Sequence, residues 1–201
     1  MNITRNKRFA LLVGICLVFF VIFLSSLFLT GGEKTKEEKP QTARPVVDTR
    51  GNIVGSKFNQ VIPGKTTGDE LINQEGAPEE SEIDRGLEKL LFFDRDELYN
   101  YAWEKDGVVV VTKENLFENS KADDFITMFG NPNIKLYHMY SEDLMWYIFL
   151  PKGIGIQVSQ SDNQVTGLVR FQPQSRESFI INVAPLVGMT TQKEDLIAEP
   201  E

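Results

Sequence analysis

The chain has 201 residues, 29 of them acidic and 21 basic, for a formal net charge of −8, with one cysteine and one histidine. All 29 acidic residues fall after Thr30, as do 18 of the basic ones, so residues 31–201 carry −11. An acidic surface repels nucleic acid and anionic lipid headgroups. A single cysteine, Cys16, excludes a disulfide framework and a cysteine–histidine enzyme built on the later residues.

The first element is Phe9 to Thr30, 22 residues without a charge, preceded by Arg5, Lys7 and Arg8. A helix rises about 1.5 Å per residue, so about 20 apolar residues cross a bilayer core. Basic residues on the short side place residues 1–8 in the cytoplasm. The expectation is a single-pass helix over 9–30, contacting the lipid bilayer, in the cell membrane, with the C-terminal part extracytoplasmic. A cleaved signal peptide is the rival, but its apolar core is shorter and ends in a small-x-small site, for which Thr30-x-Gly32 is a poor match. A lipoprotein is opposed by Ile15 before Cys16 and by the cysteine's place in the middle of the run.

Residues 31–56 open with Gly-Gly, alternate Glu and Lys, and hold prolines at 40 and 45, which predicts a flexible linker. Next come two similar stretches, 57–114 and 115–173. At an offset of 54, Asp69, Ile72, Gly76 and Pro78 recur as Asp123, Ile126, Gly130 and Pro132. At an offset of 46, Leu98 to Gly107 matches Leu144 to Gly153, including Tyr101 with Tyr147 and Trp103 with Phe149. Thr67-x-x-Glu70 and Ser120-x-x-Asp123 are capping-box patterns, and Gly76 and Gly130 supply helix stops. Strands are expected at 90–93, 98–103 and 108–111, then at 134–140, 144–150, 154–158 and 165–171. The fold class expected is α+β: one transmembrane helix, then a tandem helix-plus-antiparallel-sheet domain. Its two copies form one sheet of seven or eight strands covered on one face. Residues 174–201 form a C-terminal segment and frayed tail.

The pattern Ile62-x-Gly64-x-Thr66-Thr67-x-x-Glu70-Leu71, then Gly76-x-Pro78, resembles the SmpA/BamE-like module of bacterial envelope proteins. In tandem, over residues 58–172, it resembles the β-lactamase-inhibitor-protein fold. The resemblance implies a small envelope binding or assembly module without catalysis. The second copy has Glu118 where the first has Gly64.

No chemistry-bearing constellation stands out. Gly64-Lys65-Thr66-Thr67 lacks the upstream glycine of a phosphate loop, that position being Asn59, so no nucleotide or other cofactor is expected. His138 has no cysteine and no visible nucleophile with it, so neither a metal site nor a catalytic residue is assigned. Asp94, beside Phe92 and Phe93, is the one acid in an apolar context.

The aromatic residues are better candidates. Tyr99, Tyr101 and Trp103 share one strand face and are expected to point into the core. By register with Asn100, Trp146 is expected on the outer side, exposed, and forming with Tyr137 and Tyr140 a surface for another envelope protein. The rival places Trp146 beneath Phe179 to Val187. The function expected is a membrane-anchored extracytoplasmic binding module, non-catalytic, recognising a protein partner through a sheet face. Alternatives are an envelope hydrolase working through carboxylates, or a secreted protein inhibitor.

Overall fold

A computed structural model describes residues 47–48, 52–93, 98–116 and 120–192. The expected span 9–30 with Cys16, residues 1–8, most of the linker, Asp94, Glu118 and the tail 193–201 lie outside the described residues.

Helix α1 (Gly68–Glu75) begins as its sequence predicts. The Thr67 hydroxyl accepts the Glu70 N–H at 3.2 Å, and the Glu70 carboxylate accepts the Thr67 N–H at 2.9 Å, satisfying two groups that a helix start leaves unpaired. Helix α2 (Ala122–Phe129) starts one residue later than the Ser120 pattern implies. Its cap position is Lys121, whose N–H donates to Asp124 at 3.2 Å. Both helices stop at a glycine of positive φ, Gly76 at 90° and Gly130 at 85°, a conformation that carries no Cβ penalty in glycine.

The sheet consists of β1 (Glu80–Asp84), β2 (Leu87–Phe93), β3 (Tyr99–Lys105), β4 (Val108–Asn115), β5 (Ile134–His138), β6 (Ser141–Phe149), β7 (Ile154–Ser159), β8 (Val165–Phe171) and β9 (Met189–Thr190). Their order is β1-β2-β3-β4-β8-β7-β6-β5-β9, every pairing antiparallel. A third helix, α3 (Arg176–Asn182), precedes β9.

The expected fold class is corrected on three points. Among the described residues the sheet has nine strands, three α-helices accompany it, and it is covered on both faces. On one face, α1 with Phe58 and Val61 packs on Leu90, Phe92, Ala102 and Val109, and α2 packs through Phe125 on Phe149, Ile156, Val158 and Leu168. On the other, Phe179, Val183, Ala184 and Val187 pack on Trp103, Trp146, Ile148, Val169 and Phe171. The membrane-spanning helix and the single-pass location are corrected to what the described residues show. Among the described residues no helix is long and apolar enough to cross a membrane, and α1 and α2 have only eight residues each.

The sequence alignment at offset 46 sets β3 against β6, and the backbone shows it to be one strand out. Thr66 C=O accepts from Val109 N–H and Gly68 N–H donates to Gly107 C=O; Ser120 C=O accepts from Val165 N–H and Ala122 N–H donates to Asn163 C=O. The helix entries therefore keep the offset of 54, while the strands they touch are 56 apart. The register shifts in β3–β4 and β7–β8 leave Val110 and Thr166 as extra residues, again 56 apart. Each extra residue reverses the face alternation of its strand, which is why Val109 faces α1 while Val111 lies in the opposite core.

Candidate binding cleft

The C-terminal segment covers the face opposite α1 and α2 only in part. Between it and the β1–β2 hairpin lies a cleft of about 370 Å³ lined by Glu82, Asp84, Lys89, Tyr101, Trp103 and Lys113, with Val187 and Gly188 as the facing wall. A second cleft of about 430 Å³ shares Arg85, Pro185 and Leu186 with the first and adds Leu87, Val110 and Ile181. The two form a trough with a polar, aromatic end and an apolar end.

The hairpin is held in place from both sides. Its Arg85-Gly86 turn has positive φ at both residues, 53° and 80°, matching the type I′ geometry that suits strand twist. The Trp103 indole N–H donates to Asp84 at 2.9 Å, tying the end of β1 to the sheet face. Lys89 pairs with Glu82 at 2.7 Å, across the two hairpin strands.

Rings and cations alternate across the sheet at the polar end. The Lys89 ammonium lies 4.7 Å from the Tyr101 ring centroid and 6.0 Å from that of Trp103. The Lys113 ammonium lies 6.0 Å from the Tyr101 centroid and 5.9 Å from that of Trp146. His138 stacks on Trp146 at 6.5 Å and meets Tyr140 edge-on at 5.9 Å. This order follows from cross-strand pairing, since Lys89 is opposite Trp103 and Lys113 is opposite Tyr101. Such contacts contribute about 0.5–2 kcal/mol each, more as the cation loses water.

Two groups here titrate away from their usual range. Burial, then the nearby Lys89 charge, lowers the Lys113 pKa to about 8. Burial, then the charge on Lys113, lowers that of His138 to about 4, so its imidazole is neutral at pH 7. Its Nδ1 accepts the Tyr140 N–H at 3.3 Å, consistent with that neutral form.

The residues singled out from the sequence separate. Trp146 is fully buried, 0% exposed, beneath Phe179, Val183 and Val187, so the exposed indole expected on an outer face is corrected. It shares its face with Trp103 instead of Asn100, because the alignment behind that expectation was displaced by one strand. Tyr137 is half-buried and pairs with Thr190 of β9. Tyr140, 46% exposed, lines the cleft. His138 stands behind Trp146 as part of the ring series, and among the described residues no cluster of His, Cys, Asp or Glu is placed to hold a metal. Thr66 and Thr67 serve the entry to α1, the Thr66 hydroxyl accepting the Ile62 N–H at 2.8 Å.

Lys89 and Lys113 were not anticipated. Their signal is a lysine on each strand flanking a Tyr-x-Trp strand, and it becomes visible only once the register is known.

A nine-stranded antiparallel sheet between two helical layers, with a cation–aromatic cleft on one face, is the class that fold and site define. No family model matches the chain, and no curated protein matches it. Three solved structures align with it. One is a DUF4309-family protein from Bacillus subtilis, at 11% identity and TM-score 0.44, covering 61% of this chain and 89% of that one. A second is an extracellular protein containing an SCP domain from Bacillus anthracis, at 13% identity and TM-score 0.42, covering 63% and 48%. The third is a cysteine-rich secretory protein from Staphylococcus aureus, at 11% identity and TM-score 0.42, covering 69% and 53%. The chain thus spans about half the length of the latter two. Because no family model matches, the resemblance to the SmpA/BamE and β-lactamase-inhibitor proteins drawn from the Gly64 and Gly76 motifs is corrected.

Proposed function

We propose that the protein is a non-catalytic, extracytoplasmic binding module that takes an extended segment of a protein partner along the trough between the β1–β2 hairpin and residues 181–188. One observation carries the reading. Two adjoining clefts on one sheet face join an aromatic, cationic end at Tyr101 and Lys113 to an apolar end at Leu87, Val110 and Ile181. Tyr, Trp and Arg are the residues on which interface energy concentrates, and Tyr101, Trp103 and Arg85 all line this surface. Ile83 and Ile181, 75% and 72% exposed, provide apolar area at its margins. The composition supports binding over turnover, because ammonium groups resting on rings supply charge and shape with no paired nucleophile and base.

The test is selection of peptides from a random display library against the full chain, followed by affinity measurement on variants. Ile181→Asp and Leu186→Asp are expected to weaken selected peptides by about 10-fold or more, as loss of one apolar anchor does. Unchanged affinity in both variants would remove the trough as the binding surface.

A further inference from the structure

We propose that Lys113, with Lys89 beside it, forms a carboxylate-binding subsite at the polar end of the trough. This rests on the trough reading and states what the bound segment presents there.

An ammonium group has three donors and no acceptor. Among the described residues the Lys113 Nζ has one protein acceptor, the Val187 carbonyl at 3.5 Å, the outer limit of a hydrogen bond, and no carboxylate within ion-pair distance. The Tyr101 and Trp146 rings compensate the charge only partly. Buried charge without a partner is costly, and an arriving anion would supply both counter-charge and acceptors. The lowered proton affinity of Lys113 reports the same deficit.

Lys89 is placed to help. Both ammonium groups lie within 6.0 Å of the one Tyr101 ring. The Glu82 side chain that neutralises Lys89 is itself 49% exposed, so that pair sits at the rim and can exchange partners.

The lining charges decide the class of anion. Lys89, Lys113 and Arg85 contribute three positive charges and Glu82 and Asp84 two negative ones, which leaves one positive charge to balance. A monoanion neutralises it, whereas a phosphate dianion overfills a cleft that already holds two carboxylates. Arg85 offers no free fork, because its guanidinium faces Asp84 at 4.0 Å and is 61% exposed. The half-buried Tyr101 ring, backed by the buried Trp103 ring 5.9 Å away, forms a floor for an apolar or ring-bearing body attached to the carboxylate.

The test titrates the full chain with N-acetylphenylalanine, its neutral amide, N-acetylglutamate α-amide and inorganic phosphate. Binding is followed by the indole N–H resonances of the two tryptophans, both of which border the site. The α-carboxylate probe and the side-chain carboxylate probe distinguish a chain terminus from an acidic side chain as the source. At least one carboxylate probe is expected to bind about 10-fold more tightly than the neutral amide, the step a single charge-assisted contact gives. Lys113→Met abolishes that preference, and Lys89→Met reduces it while leaving the Lys113 contacts in place. Equal binding of carboxylate and amide, tighter binding of phosphate, or an unchanged preference in a folded Lys113→Met chain each overturns the subsite. If selected peptides still map to the trough while that preference is absent, the subsite falls and the trough reading stands. If no peptide maps there, the reading beneath it fails as well.

Discussion

Glu114 and Arg170 stand on the two central strands, β4 and β8, with Nε and Oε1 3.8 Å apart and both side chains almost wholly buried. The Glu114 carboxylate also accepts the Ser56 hydroxyl at 2.7 Å and the N–H groups of Lys57 and Phe58 at 2.5 and 3.2 Å. Arg170 donates to Ser56 and to Asn59, at 3.1 and 2.9 Å. The pair therefore anchors the segment that places Phe58 and Val61 over the core beneath α1.

Removing one member leaves a buried charge without its partner, a loss of about 3–5 kcal/mol. Glu114→Ala and Arg170→Met are each expected to lower urea-unfolding stability by about that amount. The double variant should be less destabilised than the sum of the two, because neither charge then remains alone. Additive losses would show that the two residues act independently.

Lys113 carries the opposite stability sign. Its pKa in the folded protein is lowered to about 8 from 10.5, so the unfolded chain holds this proton more tightly. The penalty is complete below pH 8 and disappears as pH rises towards 10.5. Lys113→Met should therefore stabilise the protein at pH 7 by about 1–3 kcal/mol, with the gain vanishing by the upper end of that window. Lys89, Tyr101 and Tyr140 line the same cleft in both proteins, so the difference between the two denaturation curves isolates the lysine.

His138 predicts an acid effect. Its pKa falls from 6.5 to about 4 on folding, through burial first and the Lys113 charge second. Between those values the unfolded chain binds the extra proton, so stability is complete above pH 6.5 and declines as pH falls towards 4. Because the ring is partly exposed, the loss is discounted to about 1–2 kcal/mol. Comparing wild-type and His138→Phe melting temperatures at pH 7 and pH 4.5 checks this, the variant losing less. Trp146, Tyr140 and Lys113 surround the imidazole and supply no carboxylate to reverse the sign.

The helices and most of the strands were legible because their signals are local. The Thr67–Glu70 box and the Gly76 and Gly130 stops need only neighbouring residues to be read. Strand β1 was not legible: Glu-Ser-Glu-Ile-Asp offers little strand propensity, and four of its five residues are exposed. It is an edge strand, where acidic residues keep the free backbone from pairing with another chain. Missing it moved the second half of the internal alignment by one strand, and that shift turned Trp146 outward in the sequence reading. The cleft escaped for a related reason. Lys89 and Lys113 lie 24 residues apart in the chain, and only the β2–β3–β4 register brings both to the Tyr101 ring.

The most direct measurement is the amide and indole chemical-shift map of the full chain on titration with a display-selected peptide. The account predicts that the shifted signals concentrate on Asp84, Lys89, Trp103, Lys113 and residues 181–188, the two walls of the trough. Shifts confined to α1, α2 and the opposite sheet face would contradict it.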